Sequence, residues 1–108
     1  MKIAISAQSD SFNAHIDKRF ARCQCFVIID TETKGVEFLP NSFKDLDIEV
    51  ALHVVDLLCK KGVSKVISSD FGIKIKPLLD SKKIQMIVYK DDTMTIKKMI
   101  SILLTKYQ

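Results

Sequence analysis

Cys23-Gln24-Cys25 sets two thiols one residue apart. A thiolate is a soft ligand for iron, zinc or copper(I). If the segment is extended, Cys23 and Cys25 point to the same face and could offer that ligand jointly. Iron–sulfur clusters and structural zinc normally take four protein ligands, and no second cysteine pair exists. A metal site here would therefore be shared or bridging, for instance across a dimer. The bland alternative is that both are small apolar residues near a strand start. A redox pair fits less well, because Cys-X-Cys lacks the helix N-terminus that lowers a thiol pKa. Cys59 lies on an apolar helical pattern and is expected in the core.

Upstream stand three further candidates. His15 could ligate a metal, its other ring nitrogen held by a loop carbonyl, or simply be solvated. Arg19 and Arg22, either side of Phe20, could hold an anionic cluster, phosphate or oxyanion through charge-assisted hydrogen bonds. Phe20 would fix the loop to the core. The alternative for the arginines is pairing with Asp17 or Asp70. In Ser68-Ser69-Asp70-Phe71-Gly72, free N–H groups near Ser69 at a helix start could bind an anion, with Gly72 allowing close approach. Asp70 would compete as a capping carboxylate. His53 falls off the apolar stripe of its helix and reads as surface or boundary.

Several activities are excluded by what is missing. Nucleases of the ribonuclease H type need carboxylates around two metals, one projecting from the first strand, and Ile3-Ala4-Ile5-Ser6 carries none. No Gly-X-Ser-X-Gly elbow, P-loop or dinucleotide glycine pattern occurs. No catalytic residues are therefore assigned.

The elements that must position these residues follow from periodicity. The chain has 108 residues, 47% hydrophobic and 28% charged, and reads as one globular domain. Its net charge of +4 favours anionic partners, but the absence of Trp and of stacking aromatic pairs argues against nucleic acid. No apolar run approaches the length of a membrane span. The start is too short for a signal-peptide core and the three cysteines are odd in number, so a cytoplasmic protein with reduced thiols is expected. The reading gives strands at residues 2–7, 25–30, 36–39, 63–68 and 84–89. Helices are expected at 47–61, 72–83 (regular from about Lys76, with Pro77 in its first turn) and 95–107. Gly35 is expected at positive φ in a hairpin turn, and Gly62 at a helix C′ position. Ile48, Ala51, Leu52, Val55, Leu58 and Cys59 are expected to form the first helix's apolar stripe. Asp91-Asp92-Thr93 offers caps to the last helix. Residues 8–22 read as a long loop, functional or mobile. The order β-β-β-α-β-α-β-α implies a mixed five-stranded sheet with helices packed on it. Its first, fourth and fifth strands are parallel, with a ligand beyond their carboxyl ends.

Taken in order, several segments resemble one family. They are Met1-Lys2-Ile3-Ala4-Ile5, Asp17-Lys18-Arg19-Phe20-Ala21-Arg22, Phe26-Val27-Ile28-Ile29-Asp30, Leu57-Leu58-Cys59-Lys60-Lys61-Gly62-Val63 and Val66-Ile67-Ser68-Ser69-Asp70-Phe71-Gly72. The chain resembles the dinitrogenase iron–molybdenum-cofactor biosynthesis accessory proteins, the NifX-like and NifB C-terminal-like group, over essentially its whole length. The resemblance implies an α/β, ribonuclease H-like fold without nuclease activity. It implies non-enzymatic binding or delivery of an iron–sulfur or molybdenum-containing cluster, and metallocofactor assembly proteins as partners, with a homodimer as a further arrangement. The sequence departs from the family pattern at Ala21 and Ser69, where glycines are usual. It departs again at Asp47-Ile48-Glu49-Val50-Ala51-Leu52, where a Gly- and His-rich stretch is usual. Small residues let backbone approach a bulky anion, so the alternative expectation is a ligand-free interaction or regulatory module on the same fold.

Overall fold

A computed structural model describes residues 1–91 and 93–107. Its elements run β1 (Lys2–Ala7), β2 (Cys25–Asp30), β3 (Val36–Pro40), α1 (Val50–Lys60), β4 (Val63–Ser68), α2 (Ile75–Ser81), β5 (Gln85–Val88) and α3 (Ile96–Lys106). The sheet order is β3-β2-β1-β4-β5. β1 pairs antiparallel with β2 and parallel with β4, and β4 pairs parallel with β5. The mixed α/β architecture read from periodicity is the one that forms.

Strand alternation divides the core between the two sheet faces. Ala4, Phe26, Ile28 and Val66 face α1 and α2, where Val54, Val55, Leu58 and Leu79 close the layer. Ile3, Ile5, Val27 and Ile29 face α3, which contributes Ile96, Met99 and Leu103. The central strand β1 is buried on both sides from Ile3 to Ala7, which is why it reads as a nearly continuous apolar run.

Several boundaries differ from the sequence reading. α1 begins at Val50, not Asp47, because Glu49 adopts the left-handed conformation (φ 60, ψ 21) at the N-cap. Ile48 thereby falls outside the helix and is 76% exposed. The buried stripe is Val54, Val55 and Leu58, and Leu52 lies off it, half-exposed. In the β2–β3 turn the positive φ belongs to Lys34, not Gly35. Asp30 Oδ1 accepts from the N–H groups of Glu32 and Thr33 and places the bend there. Gly62 takes φ 81 after α1 as expected.

α2 is shorter than its pattern suggested and is preceded by a turn in which Ile75 N–H donates to Gly72 O. The N-cap of α3 is Thr95, whose hydroxyl accepts from Lys98 N–H. Asp91 instead closes its own turn through Thr93, and Asp92 lies outside the described residues.

The long first loop is tied down along its length. Ile16 bridges to Ala7 and His15 to Thr95. Ile96 and Lys97 N–H groups donate to Ala14 and Phe12 carbonyls, each at 2.8 Å. The loop thus takes up donors that a helix N-terminus leaves unsatisfied.

Candidate functional site: a cationic hollow at the strand ends

Ser6, the last residue but one of β1, lies beside Ser68, the last of β4. By alternation these residues share the face of Ala4 and Val66, where the apolar run gives way to two hydroxyls. Ser6 Oγ lies 2.6 Å and Ser68 Oγ 2.9 Å from the carbonyl oxygen of Asp17, and the hydroxyls are 2.9 Å apart. Asp17 N–H returns a bond to Ser6 O at 2.9 Å. The Asp17 carboxylate, its side chain only 4% exposed, accepts three bonds from Arg19. The backbone N–H reaches Oδ1 at 2.9 Å, Nε reaches Oδ1 at 3.3 Å and Nη2 reaches Oδ2 at 3.1 Å. These bonds hold the guanidinium more firmly protonated than usual. Its side chain stays 63% exposed.

An open hollow of about 600 Å³ lies over this arrangement, lined by Gln8, Ile16, Asp17, Lys18 and Arg19. It sits where the parallel strands β1 and β4 end, as expected for a sheet of this kind. Lys18 and Arg19 outweigh Asp17 in charge, so the lining is net cationic and rich in N–H donors.

Asn41, after β3, holds the far side of the same loop. Its Nδ2 donates to Ala21 O at 2.8 Å and Cys23 O at 3.0 Å. Ser6, Asp17, Asn41 and Ser68 are the buried polar or charged residues among those described. All four hold residues 17–23. Phe20 is buried with its ring 5.5 Å from Phe26 and 5.0 Å from Phe71. It fixes the loop to the core, as its sequence context suggested, and joins it to the 69–72 segment.

The other candidates are not drawn into the hollow's lining. Arg22 turns to the connection after β3, where Nη1 donates to Lys44 O at 2.9 Å and Leu46 O at 3.0 Å. The expected convergence of Arg19 and Arg22 is therefore replaced by Arg19 with Lys18. His15 is exposed; its carbonyl accepts from Gln8 N–H, and its bridge to Thr95 is held by the neighbouring bonds Ile16 N–H to Met94 O and Ile96 N–H to Ala14 O.

Cys23 and Cys25 do not share a face, because the chain bends at Gln24. Cys23 packs in the α1/α2 core, whereas Cys25 sits at the start of β2, two residues from Val27 on the α3 side. Cys23 Sγ donates to Cys25 O, and burial pushes its pKa up to about 12. Burial, then the charge of Asp10, raises Cys25 as well. Both thiols are thus held in the protonated form that binds metal poorly.

Asp70 accepts from Phe71 N–H and does not cap α2, whose N-cap is Lys74. Gly72 is exposed at an ordinary φ, and a Cβ there would meet Ile75 at 3.9 Å. Among the described residues no group of three or more His, Cys, Asp or Glu could hold a metal ion. No described helix is long and apolar enough to cross a membrane.

Ser6, Lys18 and Asn41 were given no role from sequence, and Gln8 and Ser68 entered only as the first residues of the two segments at the expected ligand end. The signal for the serines is visible afterwards, since each is a polar residue that follows an apolar run near the end of its strand, Ile3-Ala4-Ile5 in β1 and Val66-Ile67 in β4.

Comparison with known structures matches this geometry to proteins of the same fold. The apo orange protein from Desulfovibrio gigas superposes with a TM-score of 0.86 at 21% identity, covering 98% of this chain and 88% of that one. An NMR structure from Thermotoga, of a protein described as NifB, gives a TM-score of 0.79 at 26% identity, covering 94% and 85%. No curated protein sequence matches. The family model for dinitrogenase iron-molybdenum cofactor proteins matches residues 1–105, so the chain belongs to that family.

Proposed function

We propose that this chain binds or carries an iron–sulfur or molybdenum-containing cluster without catalysing a reaction, and hands it to metallocofactor assembly proteins in the cytoplasm. One observation carries this reading: the open hollow at the ends of β1 and β4, with Arg19 and Lys18 in its lining. Such clusters are bulky anions. Fixed N–H donors and net positive charge suit them, and the oriented Arg19 needs little reorganisation to receive one. Cys23 and Cys25, buried, protonated and turned elsewhere, would supply no ligand, so the hollow would suit a cluster whose terminal positions are already occupied. Ser69 and Gly72 border the same end of the sheet outside the hollow's lining, and Phe20 joins the two loops through Phe71.

Anaerobic reconstitution with iron, sulfide and molybdate, followed by metal analysis, tests the proposal. The expected result is a stoichiometric chromophore in the wild-type protein that Arg19→Glu loses. Absence of bound metal in the folded wild-type protein contradicts it.

A second reading is favoured by a different observation. Leu46, Ile48 and Leu52 leave apolar surface exposed before and on α1. A ligand-free interaction module would use that surface, and its association would survive Arg19→Glu and be insensitive to salt.

A further inference from the structure

We propose that Ser6 and Ser68 are positioning residues for Arg19: the two buried hydroxyls, on strands 62 residues apart in sequence, set the orientation of the guanidinium in the hollow. The inference rests on the anion-binding reading above and names the device that shapes that site.

The path from hydroxyl to guanidinium is continuous. A buried hydroxyl without a partner is costly, and each serine meets its need on the Asp17 carbonyl. Two hydroxyl protons serve three short contacts, so that oxygen is gripped from both strands. The backbone carbonyl of Ser6 also accepts from Asp17 N–H. Both peptide groups of Asp17 are therefore fixed to the sheet. With the backbone held and its side chain 4% exposed, the carboxylate faces Arg19 and accepts from its N–H, Nε and Nη2.

Neither serine lines the hollow, and neither carries charge. Any effect on an anion must pass through Asp17 and Arg19. Arg19 by itself would be a long, solvated side chain spread over many rotamers. The serine pair converts it into a directed donor, and the loop meets the ligand already shaped.

The test uses the full chain, tetrathiomolybdate as the probe anion, and the Arg19 Nε–H resonance in ¹⁵N NMR. In the wild type that proton is expected to exchange slowly with water, since it bonds Asp17 Oδ1. In Ser6→Ala/Ser68→Ala it is expected to broaden, and tetrathiomolybdate affinity to fall roughly tenfold, as when a group that orients a ligand is removed. Adding Arg19→Gln to that background should cost far less than it costs the wild type. Ser68→Thr, which keeps the hydroxyl, should retain the resonance and the affinity. If the double variant does not fold, Ser68→Ala alone is compared with Ser68→Thr. A double variant that keeps the Nε–H resonance, or binds within roughly twofold of wild type, overturns the proposal. If the wild type binds no tetrathiomolybdate, the anion-binding reading fails. The resonance then decides the positioning claim alone, its loss in the double variant supporting the claim and its persistence overturning it.

Discussion

Two loops wall the same end of the sheet, and they are built differently. Residues 17–23, after β1, receive the side-chain bonds of Ser6, Ser68 and Asn41 and the internal Asp17–Arg19 pair. Residues 69–74, after β4, are held by a bond from Phe71 N–H to its neighbour Asp70, a turn at Gly72 and the Phe71 ring against Phe20. Ile73 there is 94% exposed. Among the described residues the buried polar groups all hold the first loop, and the second is left mainly to packing. The hollow takes its charge and its lining from the first of these loops and Ile16 before it, with Gln8 at the end of β1.

The largest effect is expected where the two walls meet. Phe20→Ala removes the ring that touches both Phe26 and Phe71, and should cost about 3–5 kcal/mol in chemical denaturation. Amides of 17–22 and 69–72 should lose hydrogen-exchange protection together. Protection lost in one loop alone would break the pairing.

Next comes the thiol beneath the fixed wall. The pKa of Cys23 is raised from 9.0 to about 12 by burial. Its contribution to stability is complete below pH 9 and is lost as the pH rises through about 12, because the unfolded chain ionises a thiol that the folded chain keeps neutral. Alkaline titration should therefore destabilise the wild type more steeply than Cys23→Ala between those values. At pH 8 in the native protein the half-buried Cys59 should react with a thiol reagent well before Cys23.

The comparison also explains what was legible in the sequence. Strands and helices were, because alternation and helical spacing are local. So were Gly62, whose φ of 81 suits glycine, and Phe20, the large apolar residue within a charged loop. The direction of Arg19 was not, because it depends on a contact between Ser6 and Ser68 that only the β1–β4 pairing creates. Arg22 looked equivalent to Arg19, but its guanidinium meets carbonyls at Lys44 and Leu46, over 20 positions away. The thiols were placed on one face by assuming extended chain, and the bend at Gln24 reverses that. Ile48 was assigned to α1 by its spacing, and the left-handed Glu49 starts the helix after it.

That strained residue supplies a smaller test. Glu49→Gly removes the side chain from a φ of 60 and should stabilise the protein by about 1 kcal/mol, read from a urea midpoint. The smallest effect belongs to the loop after β4. Gly72→Ala meets only ordinary contact with Ile75 at an unstrained φ, so stability should change by less than about 0.5 kcal/mol.

The claim at the centre is that an anion is received by the fixed wall. ¹⁵N NMR shift mapping of the wild-type protein with tetrathiomolybdate tests it most directly. The expected outcome is saturable shifts concentrated on Gln8, Lys18 and Arg19, with Cys59 and the α1 surface around Leu52 unmoved. Shifts centred on Leu46, Ile48 and Leu52, or none at any anion concentration that leaves the protein folded, would contradict it.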